Sequence, residues 1–219
     1  MINLEAINTT YYRKDMENMS FVGIHNTKSG LIAFADSKAS KILNSGQIIE
    51  DKERIKIPKL FKNNQFIFVT HGNNELFSGY KKTNIEDYVE QNLSENIIYK
   101  DFFYVLFTLL VLDKPEYNNG IYNFIIGSKD QKGYYVRTLK FDVLNEIMEY
   151  SQKNYTYQCL YGGDISYVKM YESIPKYFDV PIDEYSKIIK EQVECLVKIF
   201  DLDFTYNSVG LPINVKIFQ

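Results

Sequence analysis

The sequence predicts an α+β protein in which packed antiparallel sheets are covered by helices. Two observations lead to this fold class: strand-like segments come in pairs joined by short polar turns, and helical segments are grouped rather than alternating with single strands. A third is the length of 219 residues, which supports one well-buried domain and is short for two. We therefore expect one domain without a linker.

The first predicted hairpin follows residue 20. The segments Phe21 to Asn26 and Leu31 to Asp36 are rich in small and branched apolar residues. The intervening Thr27-Lys28-Ser29-Gly30 has the composition of a tight turn. Both strands are therefore expected to be substantially buried.

A second hairpin and two helices are expected next. Strand character in Ile55 to Phe61 is followed by a turn at Lys62-Asn63-Asn64 and by the strand Gln65 to Thr70. Apolar residues then recur near helical spacing from Ile85 onward, and a second helix covers Tyr99 to Leu112. Its apolar run from 102 to 112 is too short for a membrane, which needs about 20 helical residues. We expect it to be a buried helix.

The last third of the chain predicts a third hairpin, a long helix and a closing strand. The hairpin pairs Ile121 to Ile126 with Gly133 to Phe141. Asp183 to Phe200 has an apolar stripe at helical spacing and carboxylates at its start, where they favour the helix dipole. Pro212 to Phe218 alternates apolar and polar residues, as expected for a half-buried strand.

Composition narrows the classes of function. A formal charge of -3 gives no basic footprint for nucleic acid, and no segment predicts membrane insertion. Cys159 and Cys195 are far apart, so we expect buried thiols, a reducing cytoplasmic location, no metal site and no cofactor. Nineteen tyrosines are compatible with subunit contacts in a homo-oligomer.

Several motifs occur in a recognisable order. Ser20-Phe21-Val22-Gly23-Ile24 is followed by Gly30, by Ala35-Asp36-Ser37-Lys38-Ala39-Ser40, and by Lys56-Ile57-Pro58-Lys59-Leu60. Val69-Thr70-His71-Gly72, a glycine hairpin at 125–133 and Val209-Gly210-Leu211-Pro212 complete the series. In this order the chain resembles the proteasome family of N-terminal-nucleophile (Ntn) hydrolases, which includes bacterial ring peptidases.

The resemblance implies a four-layer αββα sandwich, two antiparallel sheets flanked by helices. It also implies assembly into homo-oligomeric rings, with an ATPase unfoldase or other ring subunits as possible partners. The function that it implies is hydrolysis of peptides or other amides by a serine hydroxyl at the very start of the mature chain.

The same resemblance assigns the site residues. Ser20 is the nucleophile, Asp36 holds the lysine beside it, and the Gly72 N–H stabilises the oxyanion. Lys56 is the preferred lysine and Lys52 the alternative, because counting favours Lys52 and sequence context favours Lys56. Secondary candidates are residues near the expected supporting positions: Gly163, Asp203 or Asp201, and Ser208.

Other interpretations stay open. Residues 1–19 precede the candidate nucleophile as an extension or propeptide-like segment, and residues 20–219 form the hydrolase-like domain. If the extension is retained, the chain is a non-catalytic structural or interaction subunit of the same fold. A small-amide hydrolase is a third possibility. Ser20 and Asp36 also suit capping roles, and His25 and His71 are more typical of packed histidines than of bases.

Overall fold

The computed structural model describes residues 20–42, 48–50, 57–78, 81–112, 120–155, 157–203 and 207–219. The strands in these ranges are β1 (Phe21–Asn26), β2 (Leu31–Ala35), β3 (Ser40–Ile42), β4 (Ile48–Glu50), β5 (Leu60–Lys62), β6 (Phe66–Gly72), β7 (Glu75–Ser78), β8 (Lys81–Asn84), β9 (Ile121–Asp130), β10 (Gly133–Asp142), β11 (Ile147–Tyr150), β12 (Asn154–Tyr155), β13 (Cys159–Gly163) and β14 (Asn214–Phe218). The helices are α1 (Ile85–Asn92), α2 (Tyr99–Leu112), α3 (Ile165–Glu172) and α4 (Ile182–Asp203).

Two antiparallel sheets contain most of the strands. The first sheet has the order β13-β1-β2-β14, and the second has the order β11-β10-β9-β6-β5, with β12 also paired to β10. The pairs β3-β4 and β7-β8 form two small separate hairpins. The described part of the chain is therefore α+β with antiparallel pairing, as the sequence predicts.

The facing sides of the two sheets share one apolar core. Alternate residues of β1 and β2, including Val22, Ile24 and Ala33, pack with Ile67 and Ile125 of the second sheet. Successive side chains of a strand point to opposite faces, so the residues between them contact something else. This explains why β1 and β2 are buried along their whole length.

A second core lies on the other face of the first sheet. Phe21, Ile32 and Phe34 pack there with tyrosines of α3 and with the apolar stripe of α4. The stripe consists of residues spaced three or four apart: Tyr185, Ile189, Val193, Leu196, Val197 and Phe200. This spacing places them on one side of the helix. Asp183 and Glu184 lie in the first turn, where their charge favours the helix dipole.

A third core lies on the remaining face of the second sheet and is rich in phenylalanine. Phe66, Phe68 and Phe124 of the sheet meet Phe102 and Phe103 of α2. Ring centroids in this group lie 4.9–6.4 Å apart, a range in which aromatic pairs attract one another. Aromatic rings therefore supply much of the packing in this core.

The three predicted hairpins are confirmed, as are both middle helices, the long helix and the last strand. Three details differ from the sequence predictions. The second hairpin begins at Leu60, and Ile57 lies outside any strand. Helix α2 buries only one face, since Tyr104 is 62% exposed and Leu112 is 77% exposed. Cys195 is exposed and not buried, because it lies beside the apolar stripe of α4 and not within it.

The sequence analysis did not identify β13 or α3. Strand β13 has the sequence Cys-Leu-Tyr-Gly-Gly, and glycine is depleted in strands, so its composition gives little strand signal. Its pairing with β1, in which Gly163 is opposite Phe21, is a long-range contact. It matters for the site because it brings residue 164 to the start of β1.

The edges of the two sheets are joined by lysine side chains. The Lys62 Nζ donates to the Ile217 carbonyl at 2.6 Å, and the Lys216 Nζ donates to the Leu60 carbonyl at 3.4 Å. These bonds link β5, at the end of one sheet, to β14, at the end of the other. No helix among the described residues is long and apolar enough to cross a membrane.

Candidate functional site

The peptide unit between Ser20 and Phe21 is held from both sides. Its carbonyl oxygen accepts a hydrogen bond from the Asp164 backbone N–H at 2.7 Å. Its N–H, which belongs to Phe21, donates to the Asp36 carboxylate at 3.0 Å. Ser20 is the residue immediately before β1 and is only 6% exposed. Two hydrogen bonds thus fix the backbone that carries the candidate nucleophile.

Gly163 makes this arrangement sterically possible. Its φ is +109°, and a Cβ at this position would lie 1.7 Å from the Ser20 carbonyl oxygen. A side chain here would both occupy a disfavoured conformation and displace Ser20. The structure therefore places Gly163 next to Ser20, with its role being close backbone approach.

Asp36 is the centre of a buried ionic group. The Lys59 Nζ donates to both of its carboxylate oxygens, each at 3.0 Å, and to the Lys38 carbonyl at 2.8 Å. The side chains of Lys59 and Asp36 are 8% and 0% exposed. The Lys38 N–H adds a further bond to the carboxylate. With these partners the ammonium acts as a fixed positive charge beside the Ser20 peptide.

The sequence analysis assigned the lysine beside Asp36 to Lys56, with Lys52 as the alternative. Lys56 and Lys52 both lie outside the described residues. Among the described residues Lys59, three positions after Lys56, makes the ion pair. The signal for Lys59 was present in the sequence as a lysine directly before a buried strand, but the nearby lysines made the register ambiguous.

Gly72 and His71 end the strand that faces β1 from the second sheet. Gly72 has a φ of +84°, a conformation that favours glycine. The His71 ring lies against Gly162, since a Cβ on that glycine would be 2.2 Å from Nε2. Gly162 pairs with Val22, and Gly163 pairs with Phe21. The end of β6 is therefore close to the start of β1.

The charge state of His71 follows from its surroundings. Burial, and secondarily the nearby Lys59 ammonium, lower its pKa from 6.5 to about 4. The imidazole is therefore neutral at pH 7. Its Nδ1 is buried and has no hydrogen-bond partner in the described part of the chain.

A second polar group supports Ser20 from the other side. The Ser208 hydroxyl donates to the Asp164 carboxylate at 2.8 Å. The same carboxylate accepts from the Ser166 N–H and begins α3. Asp164, whose N–H holds the Ser20 carbonyl, was not among the predicted site residues. Its signal was the Gly-Gly-Asp sequence, which has meaning only once β13 is paired with β1.

The predicted acidic residues Asp201 and Asp203 both lie in the last turn of α4. Asp203 is the last residue of that helix. Asp201 accepts a hydrogen bond from the Asn207 side chain at 2.8 Å. Asn207 also accepts from the Tyr167 hydroxyl, and its carbonyl accepts from Lys38. Asn207, which the sequence analysis missed, therefore connects Asp201 to the segment that carries Asp36.

The described residues contain no cluster of three or more His, Cys, Asp or Glu side chains suited to a metal ion. The chemistry available at the site is instead that of a hydroxyl, a fixed ammonium and backbone N–H donors. A positive charge and N–H donors can stabilise negative charge that develops on a carbonyl oxygen.

Comparisons with known proteins find similarity among solved structures. No family model matches the chain, and no curated protein matches it. A solved structure that it resembles is titled Anbu (Gly-1) mutant from Hyphomicrobium sp. strain MC1. The two chains are 15% identical, with a TM-score of 0.49, and the match covers 91% of this chain and 81% of the other. A likeness at this level assigns neither a family nor an activity.

Proposed function

We propose that the chain is a proteasome-like hydrolase of the Ntn type that cleaves amide bonds with the Ser20 hydroxyl once residues 1–19 have been removed. The observation that carries the proposal is the doubly held Ser20–Phe21 peptide, in which Asp36 binds both the Phe21 N–H and the Lys59 ammonium. The finer fold proposed with it is the four-layer αββα sandwich. The three separate apolar cores support that layering.

The proposed reaction begins when the Ser20 α-amine is free. An α-amine with a pKa near 8 is partly neutral at pH 7 and can take the hydroxyl proton. The Ser20 oxygen then attacks the carbonyl carbon of the substrate, and the proton passes to the departing amine. Water hydrolyses the resulting ester and returns the hydroxyl to Ser20.

Each neighbouring group has one role in this reaction. The Lys59 ammonium, held by Asp36, favours the negative charge of the tetrahedral intermediate and keeps the α-amine in its neutral form. The Gly72 N–H is the proposed oxyanion donor. Asp164 and Gly163 fix the Ser20 backbone. The Ser208 hydroxyl orients the Asp164 carboxylate.

A second candidate function is favoured by the burial of Ser20. A hydroxyl on a residue that is 6% exposed is poorly accessible to a substrate. If residues 1–19 are retained, the α-amine is absent and the chain serves as a non-catalytic subunit. Assembly of several copies belongs to both proposals, and sedimentation velocity measures it directly.

The deciding experiment combines intact mass with covalent labelling. We expect the natural protein to have the mass of residues 20–219, and a fluorophosphonate probe to add to Ser20. Ser20→Ala is expected to resist the probe. Ser29→Ala, which changes an exposed serine in the β1–β2 turn, is the matched control and should behave as the wild type. A wild-type protein that retains residues 1–19 and does not react would establish the non-catalytic alternative.

A further inference from the structure

His71 is a group that the proposed reaction leaves unused although it lies at the site. It directly precedes Gly72, and its ring lies against Gly162. Gly163, which follows Gly162 in β13, is in contact with the Ser20 carbonyl. His71 thus contacts β13, the strand that pairs with the start of β1, and it directly precedes Gly72, the proposed oxyanion donor.

The hydrogen-bonding state of His71 is unusual. Its Nδ1 is buried and has no partner within the described ranges, whereas most buried polar groups in folded proteins are paired. An unpaired buried group of this kind destabilises the folded state. The residue as a whole is partly exposed, as are the three residues that follow it. This end of β6 is therefore partly open to solvent, while the unpaired Nδ1 atom itself is buried.

The electrostatic surroundings decide between two chemical roles. A general base works best when its pKa is near the working pH, and the pKa of His71 is about 4. The Lys59 ammonium nearby disfavours a second positive charge. A neutral imidazole, however, remains a competent hydrogen-bond donor. Donation is therefore the favoured role, and proton abstraction is not.

We propose that His71 donates a hydrogen bond from its neutral imidazole to the carbonyl oxygen of the acyl group that is bound at Ser20, beside the Gly72 N–H. This inference rests on the proposed function, since it concerns the same site. When Ser20 attacks, the carbonyl π electrons move onto oxygen, and the imidazole N–H stabilises that oxyanion. His71 keeps its proton throughout, and the hydroxyl proton still goes to the α-amine.

The experiment measures the rate at which a fluorophosphonate phosphonylates Ser20 in the purified protein, followed by intact mass. The P=O oxygen of the probe gains negative charge as the Ser20 oxygen displaces fluoride. The labelling rate therefore responds to the same hydrogen-bond donors as amide cleavage. His71→Phe keeps a ring against Gly162 and removes both nitrogens. Loss of one oxyanion donor lowers rates by about 10²–10³-fold, and we expect a decrease of that size in the maximal labelling rate.

His71→Gln is the matched variant, because its side-chain amide retains an N–H donor. We expect it to label within about tenfold of the wild type, the margin that separates it from a lost donor. The probe concentration at half-maximal rate should be similar in all three proteins, since the hydrogen bond strengthens mainly in the transition state. Thermal unfolding of each variant shows whether the fold is retained.

Four outcomes separate the two proposals. If the wild type labels and His71→Phe labels equally fast, the donor role is wrong while the Ser20 function stands. If His71→Phe and His71→Gln are both folded and slow labelling equally, hydrogen bonding is not the cause and the inference fails. If the wild type does not label at all, the proposed function fails and this inference fails with it.

The fourth outcome concerns a His71→Phe protein that does not fold. Imidazole ¹⁵N NMR of the wild type then provides the test, because only two histidines are present. Phosphonylation of Ser20 should shift the His71 N–H signal and leave that of His25 unchanged. An unshifted His71 signal overturns the inference.

Discussion

The two histidines lie in two polar regions that are built in opposite ways. His25 is fully buried on the helix-facing side of the first sheet, where its Nδ1 is 2.8 Å from the Tyr185 hydroxyl and its Nε2 is 3.4 Å from the Tyr161 hydroxyl. His71, at the Ser20 end, has an unpartnered Nδ1 among the described residues and a nearby ammonium. An ammonium lies near each ring, Lys176 near His25 and Lys59 near His71. The first region pairs both imidazole nitrogens with tyrosine hydroxyls, whereas the second leaves Nδ1 without a partner in the described part of the chain.

The comparison shows which observation distinguishes the two histidines. Both imidazoles are neutral, because burial lowers the pKa of His25 to about 3 and that of His71 to about 4. A lowered pKa alone therefore does not distinguish them. The distinguishing observation is whether the surrounding protein already uses the ring nitrogens.

The largest expected effect tests the charged region. Asp36→Ala removes the partner of Lys59 and leaves a buried ammonium uncompensated, which should lower the free energy of unfolding by about 3–5 kcal/mol. Asp130→Ala is the control, because the Asp130–Lys153 pair is roughly 30% exposed and such pairs contribute about 0–1 kcal/mol. Urea unfolding of both variants measures the contrast. Equal losses would mean that Asp36 and Lys59 are not a buried pair.

The next effect concerns the close approach at Ser20. Gly163→Ala adds a Cβ that would lie 1.7 Å from the Ser20 carbonyl oxygen, in addition to backbone strain. Gly133→Ala has a similar φ of +120° but no atom within 4 Å of the new Cβ. We expect Gly163→Ala to be less stable than Gly133→Ala by about 2–3 kcal/mol, because overpacking adds to strain. Similar unfolding curves for the two variants would contradict the described contact.

A third prediction compares the two histidines directly. His25→Leu leaves the buried Tyr185 hydroxyl without its ring partner, which should lower the free energy of unfolding by about 1–3 kcal/mol. His71→Leu removes a nitrogen that already lacks a partner, so its loss should be under about 1 kcal/mol. Urea unfolding at pH 7 measures both. If His71→Leu lowers the free energy of unfolding more than His25→Leu does, the predicted contrast between the two regions is wrong.

A fourth prediction concerns the pH dependence that each histidine contributes. Both pKa values are lower in the folded protein than the ordinary value of 6.5, so the unfolded chain binds more protons below pH 6.5. Each histidine should therefore decrease the free energy of unfolding as pH falls, by up to about 1.4 kcal/mol per pH unit. The window ends near pH 4 for His71 and near pH 3 for His25.

Urea unfolding between pH 7 and pH 4.5 checks this slope. His71→Asn and His25→Asn should each show a shallower decrease than the wild type, while carboxylates contribute alike to all three proteins. A slope unchanged by both substitutions would mean that neither imidazole is buried in its neutral form.

Much of the fold was predictable because its elements are local. The hairpin at residues 21–36, the helix that begins near Asp183 and the alternating last strand each carry their own pattern of apolar residues. The strand β13 was missed because its Gly-Gly end has little strand character, and its place is set by pairing with β1. Helix α2 was only half correctly predicted, since an all-apolar run does not show which face is covered.

The candidate site was predictable only where sequence spacing is short. Ser20 and Asp36 lie on neighbouring positions of one hairpin, and the structure joins Asp36 to the Ser20–Phe21 peptide. The lysine was assigned to Lys56 or Lys52, whereas Lys59 is the residue on Asp36 in the described part of the chain. The charged run at residues 50–59 contains several lysines, and sequence spacing alone does not show which of them pairs with Asp36. The Gly-Gly-Asp signal for Asp164 gains meaning only from the β1–β13 pairing.

The lysines that join β5 to β14 have a consequence for self-association. A strand at the end of a sheet normally presents unpaired backbone groups that can recruit a strand from another molecule. Lys62 and Lys216 donate to carbonyls of each other's strands, and a flexible cationic side chain at such a margin repels an incoming copy. Lysines at this border therefore disfavour the addition of a further strand and fibre-like growth there.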